Sequence, residues 1–125
     1  MNSKELMIGD WVGRVFDDKR IDYRQVDWIR TGEIGMRYQK VWAIGCIEPI
    51  PLTPEILEKN GWNRSNRLMI TRIDDNDFYW SEELGGILYK NQYNMCNCKY
   101  VHNLQHALRL CGLDELADNF KVYEK

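Results

Sequence analysis

The chain has 125 residues, enough for one domain with a real core and too few for two ordinary ones. Hydrophobic residues make up 44% and charged residues 29%, which excludes a disordered, collagen-like or coiled-coil chain. The formal net charge of −2 is spread evenly over both halves and gives no electrostatic footprint for general nucleic-acid binding.

The N-terminus, "MNSKELMIGDWV", lacks the apolar region of a signal peptide, and no apolar run reaches the length of a membrane span. A cytoplasmic protein with no membrane partner is the expectation. There the four cysteines are free thiols rather than a disulfide framework. "ELMIGDWVGRVF" predicts a first strand, entered through a turn at Gly9-Asp10. "YRQVDWIRTGEIGMRYQKVWAIGCIEPI" is rich in β-branched and aromatic residues and broken by Gly32, Gly35 and Gly45. It predicts several short strands with tight turns, and a bulge at Gly45.

"PLTPEILEKNGW" predicts a short helix over 54–60, encoded at both ends. Thr53 is a good N-cap, and Pro54 sits where a missing N–H costs nothing. Leu52 can meet Leu57 as a hydrophobic staple. Gly61 supplies the left-handed residue after the helix, and Trp62 folds back onto Leu57. "NRLMITRIDDNDFYWSEE" predicts two strands joined by an acidic turn, which could also present Tyr79 and Trp80 to a partner. The loop fails the calcium-binding pattern, because Tyr79 and Trp80 stand where an oxygen ligand and a glycine are needed. "ELGGILYK" starts one more strand.

"CNCKYVHNLQHALRLCG" holds three cysteines and two histidines. Val101, Leu104, Leu108 and Cys111 have the spacing of one buried helix face, closed by Gly112, which predicts a helix over 100–111. Cys98, His102 and His106 are zinc-ligand types and form one stripe if the helix starts early. Against a metal, the two histidines lie nearly opposite the apolar face and point to solvent, and the C-x-C pair is not the usual zinc knuckle. No cofactor is implied. "LDELADNFKVYEK" predicts a helical turn and an extended tail.

The stretch "RTGEIGMRYQKVW" mixes Arg30, Arg37 and Lys40 with Tyr38 and Trp42, a composition used to hold single-stranded nucleic acid on small β-barrels. A hairpin with core aromatics is the plainer reading, given the acidic chain. Nucleophile elbow, P-loop, dinucleotide and H-E-x-x-H patterns are all missing.

Three segments carry a resemblance. "LMIGDWV" has Ile8, Gly9, Asp10 and Val12. "PIPLTPEILEKNGW" has Pro49, Pro51, Thr53, Leu57 and Gly61. "KYVHNLQ" has Tyr100, Val101, His102, Leu104 and Gln105. In this order they resemble small proteins of gut bacteria, their phages and mobile elements, for which no activity is established. The resemblance implies a shared fold. Its pattern has His at the position of His102, usually Asn at that of His106, and does not require Cys96 or Cys98; packing or hydrogen bonding near the helix start is the plainer reading of His102.

The order strands, helix, strands, helix predicts one α+β domain over 1–125. Its N-terminal half is built of short antiparallel strands, with a small SH3-like barrel as one form it could take. A β-meander and the second helix follow. Three functions are carried forward: a non-enzymatic protein-interaction module of phage or mobile-element origin, a nucleic-acid-binding small barrel, and a metal- or thiol-dependent enzyme.

Overall fold

In the computed structural model the described residues are 5–30, 32–37 and 40–122, with Ile44 described by its backbone alone. They form nine strands in two antiparallel sheets and three short α-helices, an α+β domain.

The first sheet is a meander of β1 (Trp11–Val15), β2 (Ile21–Arg30), β3 (Glu33–Met36) and β4 (Lys40–Ala43). Its pairing slips between Val26 and Trp28, so Asp27 is the extra residue of a bulge. The bulge is therefore at Asp27, not at Gly45. Gly45 lies in a 3-10 turn, Ile44–Cys46, that follows β4. After that turn the chain returns to β1: Gly13 and Glu48 exchange two backbone hydrogen bonds of 2.9 and 2.8 Å. This return curls the sheet into a half-barrel. Leu6, Val12, Val26, Ile34, Met36, Trp42 and Ile47 fill it.

The helix α1 (Pro54–Lys59) is built as its sequence predicts. Thr53 Oγ1 accepts from the Ile56 N–H at 3.2 Å. At the other end Gly61 takes φ +87°, and the Trp62 N–H reaches the Leu57 carbonyl at 3.1 Å. That 6→1 bond, with Gly61 to Glu58, is the Schellman pattern.

The second sheet is a five-stranded meander: β5 (Asn63–Ser65), β6 (Leu68–Ile73), β7 (Asn76–Ser81), β8 (Ile87–Lys90) and β9 (Tyr93–Asn97). Asp74 and Asp75 form the β6–β7 turn with φ of 51° and 66°, the two left-handed residues a tight hairpin wants. β9 is a strand that the sequence pattern does not announce. Its presence moves the start of the next helix, α2 (Val101–Leu110), past Cys98.

α2 lays Val101, Leu104, Ala107 and Leu108 on the second sheet, in one cluster with Met69, Phe78, Trp80 and Leu88. Each buried Val, Leu, Met or Phe among them contributes about 1.5–3 kcal/mol. A second Schellman turn ends α2, with Gly112 at φ +77° and Leu113 N–H to the Leu108 carbonyl at 2.9 Å. The short α3 (Asp114–Asp118) and the tail through Phe120 and Val122 close the same core. Before α1, the chain pairs with the start of α2: Val101 N–H to Ile50 carbonyl at 2.8 Å and Leu52 N–H to Lys99 carbonyl at 2.9 Å.

Candidate functional site

The turn before β1 meets α2 in a polar junction between the half-barrel and the helices. Gly9 takes φ +94°, and a Cβ there would sit 2.7 Å from Asp118 Oδ1. This turn seats Asp10 wholly out of solvent. Its Oδ2 accepts from the Met7 N–H at 2.8 Å and lies 2.5 Å from His106 Nε2. Its Oδ1 accepts from Arg109 Nη1 at 2.6 Å, and Arg109 Nη2 reaches Asp118 at 3.3 Å. Gln105, also fully buried, accepts from the Trp11 N–H at 2.9 Å and donates to the carbonyls of Gly9 and Ala117, both at 2.9 Å. Gln25 adds donations to Gly9 and Asp118 carbonyls. Every member of this network has its partners, the condition under which buried polar groups rigidify a fold. Asp10 is enclosed by its own partners, so the network is a clamp.

The expectation that His102 and His106 point to solvent is corrected. His102 is 4% exposed and His106 is partly buried. α2 is covered on two sides, by the second sheet and by residues 5–11, and periodicity reports only the apolar side. His102 stacks on Tyr100, with ring centroids 5.9 Å apart, and meets His106 edge-on at 5.5 Å. Burial pushes its pKa down, against a weaker upward pull from Asp10. Its Nδ1 is buried without a hydrogen-bond partner among the described residues.

Cys98 lies on no helix stripe with these histidines. It is fully buried, and its Sγ is 3.5 Å from that of Cys96. Among the described residues no group of three or more His, Cys, Asp or Glu side chains could hold a metal ion. Trp80, expected as a contact for a partner, is a core residue at 1% exposure; its indole N–H donates to the Cys98 carbonyl at 2.8 Å.

Of the basic-aromatic stretch, Tyr38 lies outside the described residues. Arg30, Arg37 and Lys40 are exposed. Arg30 pairs with Glu33 at one end of β3, whereas Lys40 pairs with Met36 at the other, next to Arg37. Trp42 turns inward. The aromatic that does lie on the outer face is Trp28, which sequence reasoning missed. The signal was Gly35: opposite Trp28 in the sheet, it leaves the space that the indole fills. A Cβ on Gly35 would stand 1.9 Å from the indole ring. The next residue across is Val41, 51% exposed, on the edge strand β4. Arg30 crosses the Trp28 ring, its guanidinium carbon 4.2 Å from the centroid. A pair of arginines, Arg14 and Arg20, lies over Phe16 at 4.6 and 4.5 Å from its centroid.

No family model matches the chain, and no curated protein or solved structure matches it significantly. Among the described residues no helix is long and apolar enough to cross a membrane.

Proposed function

We propose that this chain is a non-enzymatic protein-interaction module of the cytoplasm, and that it takes its partner on the outer face and open edge of the half-barrel. The observation that carries the reading is the row Trp28–Gly35–Val41. A tryptophan and a half-exposed valine lie on the surface side of the sheet, crossed by an arginine. Trp and Arg are the residues that most often anchor protein interfaces. The row ends at β4, the last strand of its sheet, whose outward N–H and C=O groups can pair with an extended segment of a partner. Such a segment would place an apolar side chain against Val41 and Trp28. The three-part motif is consistent with an origin in phages or mobile elements.

Nucleic acid is the second reading, favoured by the arginine–aromatic stacks at Trp28 and Phe16. The separation of Arg30 from Arg37 and Lys40 along β3, and the net negative charge, weigh against it. Capture of partners from a lysate of the source cells, with and without nuclease, separates the two. A protein retained after nuclease supports the module; recovery that collapses with nuclease supports nucleic acid.

A further inference from the structure

The two thiols of the C-x-C pair stand apart from the surface proposed above. Cys96 is on β9, half-buried, and Cys98 follows the strand in the core. Their Sγ atoms are 3.5 Å apart, within hydrogen-bond reach for sulfur. Cys98 is pinned by three contacts of different kinds. Its N–H donates to the Gly86 carbonyl at 2.5 Å, its carbonyl accepts from the Trp80 indole, and its side chain packs in the core. Cys96 is the freer partner. β9 is the edge strand of its sheet, and its pairing with β8 is irregular immediately beside Cys96, between the Leu88–Cys96 and Tyr89–Asn94 pairs. An edge strand with a bulge is where a small backbone shift is least resisted.

We propose that Cys96 and Cys98 form a peroxide-sensitive dithiol, with Cys96 as the attacking sulfur and Cys98 as the resolving one. The contact between the two sulfurs draws the Cys96 pKa down to about 7, while the same contact and burial push that of Cys98 up. The thiolate is the form that reacts, and the lowered pKa favours it at Cys96. The Cys96 thiolate attacks the outer oxygen of a hydroperoxide. The O–O bond breaks, an alkoxide or hydroxide leaves and takes a proton from water, and Cys96 becomes a sulfenic acid. The Cys98 sulfur then attacks the Cys96 sulfur. Its proton joins the departing hydroxide as water, and an intramolecular disulfide remains. A dithiol reductant restores both thiols.

The test is oxidation of the full chain with one equivalent of hydrogen peroxide, followed by alkylation under denaturing conditions and peptide mass spectrometry. The segment between Lys90 and Lys99 carries both cysteines. The expected product is that segment two hydrogens lighter, closed to alkylation, and reopened by dithiothreitol. In Cys98→Ala the same treatment leaves Cys96 as a sulfenic acid that dimedone traps. In Cys96→Ser, Cys98 stays reduced. The proposal is overturned if both cysteines of the wild type still alkylate, or if the dominant product joins two chains. Should Cys98→Ala fail to fold, the wild type and Cys96→Ser decide the matter alone.

Discussion

At the scale of single residues, Asp10 and His102 have the clearest consequences. Asp10 is a buried carboxylate whose partners are the Met7 N–H, His106 and Arg109. Among the described residues, Asp10→Ala leaves the Arg109 guanidinium, itself largely buried, with only the exposed Asp118 as counter-charge. The expected loss is about 3 kcal/mol in urea unfolding. His102 makes a pH prediction. Its folded pKa lies below that of the unfolded chain, because burial disfavours the charged ring. Between the two values the unfolded state binds more protons. Its contribution is therefore fully present above the unfolded pKa of about 6.5 and is lost as pH falls below it. A series of melts should show stability falling from pH 7 toward pH 5, and His102→Gln should flatten that slope. The role of Asp10 was not legible in the sequence, and that of His102 only as packing near the helix start. Asp10 and its helix partners are far apart in the chain, and apolar periodicity is blind to a helix side buried by hydrogen bonds. The hint was the placement of Asp10 inside the otherwise apolar "LMIGDWV", and the structure joins the three motif segments: Trp11 and Gly9 bond Gln105, and Ile50 and Leu52 pair with Val101 and Lys99.

At the scale of elements, legibility followed local chemistry. α1 was readable because its cap, its proline and its closing glycine are all within one short segment. Thr53→Ala removes the bond to the Ile56 N–H and should cost about 1 kcal/mol in stability. The β6–β7 hairpin was readable from its acidic turn. β9 was not, because "YNMCN" has neither alternation nor β-branched residues; it is a strand because β8 offers it a partner. The same dependence on a neighbour hid Trp28. Its position on the outer face follows from the extra residue at Asp27, which restores Ile29 to the inside, and from the space over Gly35. Gly35→Ala should expel the indole from its seat. Tryptophan fluorescence should shift red, and the half-barrel core beneath should survive.

At the scale of the whole molecule, a curled half-barrel and a second sheet share one helix. The half-barrel touches α2 through the Asp10 clamp, and the five-stranded meander touches it through Val101, Leu104 and Leu108. The linker through Pro49–Leu52 ties both to the start of that helix. With the helices committed to internal packing, the outer face of β2–β4 is the surface where a tryptophan, an arginine and the last strand of the sheet come together. Binding there leaves the clamp and the main core untouched, so it can be removed without unfolding the chain. The most direct test compares wild type, Trp28→Ala and Val41→Glu as bait in nuclease-treated lysate of the source cells, each first shown by thermal melt to be folded. The account predicts one protein held by the wild type and lost by both variants. Equal retention of that protein by wild type and both folded variants would contradict it.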